Sequence, residues 1–108
     1  SMVFTNVMNP RCKYPQRGSE FYNKTLVKEG ASIGANATIV CGNTIGKNSF
    51  IGAGTVVINN IQDFALVVGN PAKQIGWVCE CGEKLSIDLD CKKCKRQFIH
   101  SKNGLVEK

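Results

Sequence analysis

The stretch that decides the fold is residues 25–60, which divides into six groups of six: TLVKEG, ASIGAN, ATIVCG, NTIGKN, SFIGAG and TVVINN. The third residue of each hexad is Val or Ile, at Val27, Ile33, Ile39, Ile45, Ile51 and Val57. The sixth residue alternates between Gly and Asn, at Gly30, Asn36, Gly42, Asn48, Gly54 and Asn60. Gly and Asn are the residues that best tolerate a positive φ. A period of six also argues against ordinary β-hairpins, whose strands alternate with period two.

Each place in the hexad has a mechanical reason. A short flat side that ends in a sharp corner needs a residue in the left-handed region there, which suits Gly or Asn. The aliphatic side chain points inward, where copies from successive turns of the chain stack in a column. Three sides make one coil of about eighteen residues, so six hexads supply two coils. The sequence therefore predicts an all-β fold, a left-handed parallel β-helix built from hexapeptide repeats.

The pattern weakens on both sides of this block. Val3 has the same phase of six but Asn9 does not continue it, so residues 1–24 are expected to form a partial entry coil and an extended loop. The coils and their exit segment are expected over residues 25–75. Residues 76–108 are expected to form a separate tail that contains most of the cysteines.

The tail contains two cysteine pairs, Cys79-x-Cys81 and Cys91-x-x-Cys94, with nine residues between them. Four thiolates on two turns suit tetrahedral zinc, and because they leave no open position the zinc would be structural. The spacing predicts a C-terminal zinc-ribbon-like tail, with disulfides or free thiols as the alternative. Cys12 has neither a histidine nor a second cysteine nearby in the sequence, and the same holds for Cys41. Both are expected to be chemically inert.

The formal net charge is +6, from 14 basic and 8 acidic residues. Neither part of the chain has the long basic face that nucleic-acid binding usually needs. The cations around the second cysteine pair (Lys92, Lys93, Lys95 and Arg96) are expected to offset a negative zinc–thiolate cluster, so nucleic acid is a disfavoured partner. No apolar run approaches about 18 residues and no signal segment opens the chain, which predicts no membrane contact and a cytoplasmic location.

Three motifs together resemble the C-terminal half of a family of nucleotide-sugar N-acetyltransferases. They are FTNVMNPR at 4–11, the hexad block, and ALVVGNPAKQIGWVCECGEKL at 65–85. The family acetylates UDP-2-acetamido-3-amino-2,3-dideoxyglucuronate in O-antigen synthesis. Its members have further coils before the FTN motif, so this chain resembles one without its N-terminal half. The resemblance implies an acetyl-CoA-dependent N-acetyltransferase acting on an amino sugar or UDP-sugar, in a homotrimer.

The resemblance also implies which residues meet the acceptor. Asn6 would orient the substrate amine, and an amide is too weak a base to deprotonate it, so the amine would arrive neutral. Asn9 and Arg11 would contact sugar or carboxylate groups, the arginine through a bidentate pair. The single histidine, His100, lies outside the repeat and is expected to be a surface residue.

In this fold acetyl-CoA lies in a groove between neighbouring subunits, so its contacts should recur once per coil. Ala35, Ala53 and Pro71 are spaced by eighteen residues and are expected to form one small-residue edge. Lys73, in the GNPAK motif that the resemblance assigns to CoA, would meet a phosphate. The outward apolar residues, which are Val40, Phe50, Val56 and Ile58, are expected to lie between subunits.

Two other functions stay open. The chain could be a non-catalytic trimeric scaffold that keeps the β-helix and a structural zinc tail without turnover. Alternatively, the tail could be a module that binds nucleic acid or protein, for which the CKKCKR run at 91–96 is the supporting feature.

Overall fold

The computed structural model of the chain describes residues 3–4 and 25–108. Within these ranges the regular elements are strands, and none of the described segments is a helix long and apolar enough to cross a bilayer. The strands are β1 (Val3–Phe4), β2 (Leu26–Val27), β3 (Ser32–Ile33), β4 (Thr38–Ile39), β5 (Thr44–Ile45), β6 (Phe50–Ile51), β7 (Val56–Val57), β8 (Ala65–Val68), β9 (Lys73–Trp77), β10 (Phe98–Ser101) and β11 (Gly104–Glu107).

The short strands wind into a three-sided parallel β-helix. Its first face contains β1, β4 and β7, its second contains β2 and β5, and its third contains β3, β6 and β8. Leu26 pairs with Thr44 and Thr38 pairs with Val56, so one coil takes eighteen residues. The coil length expected from the hexads is confirmed.

The inward residues of the hexads form the core of the β-helix. Ile39, Ile45, Ile51 and Val57 are completely buried. Val27 is 40% exposed, and its strand, β2, is the outermost described strand of the second face. Burying one such side chain contributes about 1.5–3 kcal/mol, so the column is the main source of stability in this part of the chain.

Five of the six expected corners have a positive φ, between 53° and 85°. They are Gly30, Asn36, Gly42, Asn48 and Gly54. Successive corners also press on one another: a Cβ on Gly30 would overlap the side-chain amide of Asn48 in the next coil. Glycine is therefore needed at position 30 for space as well as for its backbone conformation.

The prediction of a sixth corner at Asn60 is wrong. Asn60 is not among the residues with positive φ. Instead, its side-chain Oδ1 accepts a hydrogen bond from the backbone N–H of Thr44 at 2.8 Å. The Asn60 side chain thus takes the place of a backbone carbonyl as the acceptor for the Thr44 N–H on the second face.

The coil after Asn60 is two residues shorter than those before it. Ile45 pairs with Ile61, and Ile51 pairs with Val67, at spacings of sixteen instead of eighteen. Both Ile61 and Val67 are buried. The shorter coil brings these aliphatic residues into the column, where the strict repeat would have put Asp63.

The backbone of β1 pairs in parallel with β4, and its phase differs by one residue from the one expected from Val3. Phe4, and not Val3, is the partner of Ile39 in the register between β1 and β4. The loop predicted before the hexads lies outside the described residues.

After β8 the chain leaves the helical path. Residues 69–72 form a turn that contains a cis Asn70–Pro71 peptide, and β9 returns antiparallel to β8. Leu66 pairs with Gly76 and Val67 with Gln74, which leaves Ile75 unopposed as a bulge. β9 thereby becomes the edge strand of the third face.

We expect Asn48→Val to destabilise the chain by about 1–2 kcal/mol, because a β-branched residue is disfavoured at a φ of 53°. A fall in the melting temperature of the purified protein would measure this loss. Asn59→Val makes the same change at an exposed position without positive φ, and should cost less. Equal losses in the two variants would contradict the assignment of Asn48 to a corner.

Candidate functional site

Ala35 and Ala53 occupy the same corner of successive coils. The N–H of Gly54 donates to the carbonyl of Ala35 at 2.9 Å, and both alanines are exposed. Gly34 allows the close stacking, because a Cβ there would lie 2.5 Å from the nitrogen of Ala53. The corner thus presents a line of small side chains, beside which a ligand could approach the backbone.

Pro71 does not continue this line at the expected spacing. Since Ile51 pairs with Val67, Gly69 takes the register position below Ala53. Pro71 lies two residues further on, in the turn before β9, and Lys73 begins β9 opposite Val68. Both are exposed, and Lys73 has no ion-pair partner within residues 25–108. The roles of these residues toward CoA stay predictions.

The residues expected to meet the acceptor lie elsewhere. Asn6, Asn9 and Arg11 are outside the described residues, and their roles also stay predictions. His100 is exposed in β10, and its ring meets the edge of Trp77 with centroids 5.7 Å apart.

The four tail cysteines, Cys79, Cys81, Cys91 and Cys94, converge on one point. Their Sγ atoms all lie within 4.8 Å of one another, with 3.3 Å between Cys79 and Cys94 and 3.6 Å between Cys81 and Cys91. A tetrahedral zinc with Zn–S bonds of about 2.3 Å would hold its sulfur ligands roughly 3.8 Å apart. The separations suit that geometry and exceed the roughly 2.05 Å of a disulfide bond.

Two backbone turns position the cysteine pairs. In the first, the N–H of Gly82 donates to the carbonyl of Cys79 at 2.9 Å, and Gly82 has a φ of 96°. In the second, the N–H of Lys95 donates to the carbonyl of Cys91 at 2.9 Å, and Lys95 also has a positive φ. The N–H of Cys94 points to the sulfur of Cys91 at 3.4 Å. Such N–H donors stabilise sulfur in its thiolate form.

Arg96 is the cation that touches the cluster. Its Nη1 donates to the sulfur of Cys94 at 3.3 Å, and its Nε lies 3.7 Å from Glu80 and 3.6 Å from Glu107. Of the four cations expected to offset the cluster, Arg96 is the one with a sulfur contact in the described part of the chain.

The cluster sets the thiol pKa values far apart. The backbone N–H of Arg96 is the main cause that lowers the pKa of Cys94 to about 6, helped by hydrogen bonds from Cys79, Cys91 and the Arg96 guanidinium. Burial raises the pKa of Cys79 to about 12. The same contacts raise the pKa of Arg96, chiefly through its bond to Cys94. The Cys94 thiolate therefore predominates at neutral pH, whereas a metal that bound Cys79 would displace its proton.

Two of the cysteines, Cys79 and Cys91, belong to a second, smaller core that packs on the end of the β-helix. Its buried members are Cys79, Leu85, Cys91, Phe98 and Leu105. Trp77 packs against both this core and the β-helix core. The ring of Phe64, a residue that itself has a positive φ of 64°, lies 4.9 Å from the ring of Phe98.

Backbone hydrogen bonds fix this contact. The N–H of Asp63 donates to the carbonyl of Asn103 at 2.8 Å, and the N–H of Leu105 donates to the carbonyl of Asp63 at 3.3 Å. Gly104, between these partners, has a φ of 135°, and a Cβ there would lie 2.5 Å from the carbonyl oxygen of Asp63. These residues could not be singled out from the sequence. The one available signal was Gly104 in a turn of polar residues, and nothing in the sequence pattern connects that turn with Asp63.

Part of this chain is similar in sequence to known proteins. No family model matches the sequence. A 66-residue part of the chain is 54% identical to a dTDP-3-amino-3,6-dideoxy-alpha-D-galactopyranose 3-N-acetyltransferase of Aneurinibacillus thermoaerophilus, covering 61% of this chain and 34% of that protein. The chain thus spans about a third of that relative's length.

Two solved structures share the fold. A maltose O-acetyltransferase of Clostridium difficile superposes with a TM-score of 0.58 at 25% identity, over 72% of this chain and 42% of its own. A hexapeptide-repeat acetyltransferase of Vibrio cholerae, solved with acetyl-CoA, superposes with a TM-score of 0.57 at 24% identity, over 69% of this chain and 41% of its own.

The coils therefore define this chain as a left-handed parallel β-helix protein. Within that class, the chain is similar to hexapeptide-repeat acetyltransferases, including the sugar 3-N-acetyltransferase of which it spans about a third.

The junction between the two cores yields a prediction. Gly104→Ala should destabilise the chain more than Gly82→Ala, although both glycines have a positive φ. A Cβ at position 82 meets nothing within 4 Å, so that variant should lose only about 1–2 kcal/mol of backbone preference. At position 104 the overlap with Asp63 should add roughly 1–3 kcal/mol. Urea unfolding followed by Trp77 fluorescence measures the difference, and equal losses would contradict the docking of the tail.

Proposed function

We propose that this chain is an acetyl-CoA-dependent N-acetyltransferase whose acceptor is the amine of an amino sugar or nucleotide-sugar. The observation that carries the proposal is the 54% identity over 66 residues to a 3-N-acetyltransferase of a dTDP-amino sugar. The family resemblance of the FTN and GNPAK motifs points to the same kind of acceptor, a 3-amino group on a nucleotide-linked sugar. Acetyl-CoA as donor is supported by a solved protein of the same fold that binds it.

The reaction moves an acetyl group from sulfur to nitrogen. The neutral amine attacks the thioester carbonyl carbon, the carbon–sulfur bond of the tetrahedral intermediate breaks, and the CoA thiolate receives the proton that the amine loses. Asn6 would orient the amine without taking its proton, so transfer depends on the fraction of amine that arrives neutral. Asn9 and Arg11 would bind the sugar.

The described coils offer a place for the donor. The small corner residues Ala35 and Ala53 leave the backbone accessible, and the exposed Lys73 lies near the end of that corner, beyond Pro71. We propose that the pantetheine arm follows this corner and that Lys73 binds a phosphate of CoA, as a point charge suited to that group.

We further propose that the chain works as a homotrimer. Phe50 is 39% exposed and Ile58 is 49% exposed, and both belong to the set expected at the subunit contact. Val40 and Val56, from the same set, are already half-buried within one chain. Few coils give a small core, and covering outward apolar side chains between subunits would add to it.

Titration of the protein with acetyl-CoA tests the donor site. We expect binding in the micromolar to millimolar range, about 4–8 kcal/mol, by a protein that light scattering reports as a trimer. Lys73→Ala should weaken acetyl-CoA binding roughly tenfold, because it removes one charge-assisted contact. Lys93→Ala, an exposed charge in the tail, is the control and should leave the affinity unchanged.

The acceptor is tested with the amine that the relative acetylates, dTDP-3-amino-3,6-dideoxygalactose, beside UDP-linked 3-amino sugars. Formation of the amide and release of free CoA thiol should rise with pH as the amine becomes neutral. If millimolar acetyl-CoA neither binds nor stabilises the protein, the enzyme proposal fails and the scaffold alternative takes its place.

We also propose that the four tail cysteines hold one structural zinc, in a zinc-ribbon-like arrangement. Support comes from four sulfurs within 4.8 Å, two of which receive N–H hydrogen bonds, and from an all-thiol set that leaves no open position. A reducing compartment such as the cytoplasm would keep these thiols available. The zinc would complete the small core of the tail and so hold it against the last coil.

Elemental analysis of protein purified without chelator should find about one zinc per chain. Cys91→Ser should lower the zinc content and the melting temperature, because Cys91 is buried among the four ligands. Cys41→Ser, which changes a buried cysteine that is not one of the four, is the control and should keep its zinc. Undiminished zinc in Cys91→Ser would show that other residues bind the metal.

A further inference from the structure

A cavity of about 250 Å³ lies between the second face of the β-helix and the turn that joins β10 to β11. The coil side contributes Lys28, Asn60 and Gln62, and the tail side contributes Lys102 and Asn103. This cavity is separate from the corner proposed for acetyl-CoA and from the cysteine cluster. Its walls come from both the β-helix and the tail, so the cavity exists only when the tail is docked on the β-helix.

The walls are held in place by backbone contacts. Gly46 packs against the next coil so closely that a Cβ there would lie 2.5 Å from the nitrogen of Asp63. On the other side, the N–H of Asp63 binds the carbonyl of Asn103 at 2.8 Å. The lysine next to that asparagine, Lys102, is thereby carried to the rim of the cavity by a fixed turn.

Positive charge exceeds negative charge in this cavity. Lys28 is half-buried and Lys102 is exposed, and within residues 25–108 neither forms an ion pair. Asp63 is the carboxylate in the lining, and its Oδ1 already accepts the backbone N–H of Lys47 at 2.8 Å. That bond and the two backbone bonds to the tail give Asp63 a structural role.

The amide side chains add donors. Asn60 uses its Oδ1 to accept the N–H of Thr44, which leaves its side-chain NH₂ as the group available to a ligand. Together with the two ammonium groups, this provides several donors, from two sides of one cavity. Such a set suits an oxyanion, which accepts several hydrogen bonds at once.

We infer that this cavity binds a phosphate group, with Lys28 from the coil and Lys102 from the tail as its cationic contacts. The phosphate could be free inorganic phosphate or the diphosphate of a nucleotide-sugar, and the two sources share the same recognition chemistry. The inference rests on the cavity and its charges and does not depend on acetyl transfer. Because Lys28 belongs to the β-helix and Lys102 to the tail, a phosphate bound by both would stabilise the docked tail.

Isothermal titration of the full chain with inorganic phosphate tests the site, with dTDP and UDP as parallel arms. We expect Lys28→Gln and Lys102→Gln each to weaken binding by roughly tenfold, the effect of one lost charge-assisted bond. Lys47→Gln removes the same charge from an exposed side chain outside the cavity lining, and should bind as the wild type does. Lys28→Arg should restore most of the affinity lost in Lys28→Gln.

Tighter binding of dTDP or UDP than of phosphate, with the same dependence on both lysines, would identify a nucleotide as the source. Equal affinities would identify phosphate alone. The inference is overturned if no probe binds at millimolar concentration, or if Lys47→Gln weakens binding as much as the two cavity variants do. Melting temperatures close to that of the wild type confirm that each variant is folded, and the outcome leaves the test of acetyl-CoA binding unaffected.

Discussion

The rest of the structure depends on the corners, where the backbone must adopt a positive φ every six residues. Five of them, from Gly30 to Gly54, do so through Gly or Asn, at little cost compared with other residues. Because the corners recur at equal intervals, the side between them always presents its third residue to the interior. The buried column of Ile39, Ile45, Ile51 and Val57 is therefore a consequence of corner spacing as much as of hydrophobicity.

The same constraint explains where the repeat ends. At Asn60 the residue type fits a corner, but its side chain is used to bind Thr44 instead. The coil then shortens by two residues, so that Ile61 and Val67 enter the column. The preference of Asn60 for a corner conformation is worth less free energy here than the burial of the Ile61 and Val67 side chains. The shift also displaces Pro71 from the line of Ala35 and Ala53, which equal spacing had suggested.

The features that could be predicted from the sequence are local or periodic. The all-β class, the coil of eighteen residues, five corners and the convergence of four cysteines all follow from spacing along the chain. The contacts that could not be predicted join residues with no shared pattern. Asp63 meets the turn at Asn103, and Phe64 meets Phe98, across more than thirty positions of sequence. Neither periodicity nor composition carries information about such pairs.

The size of the tail explains why it packs on the coil. Its core has five buried residues, two of which are cysteines, and so small a core does not fold stably without a further constraint. A metal shared by the four thiols, as proposed above, would supply one constraint, and Trp77, which packs against both cores, supplies a second. β9 connects these features, since it begins at Lys73 beside the proposed donor corner and ends at Trp77, two residues before Cys79. A disturbance of the cysteine cluster would therefore reach the proposed donor corner along a single strand, the edge strand of the third face.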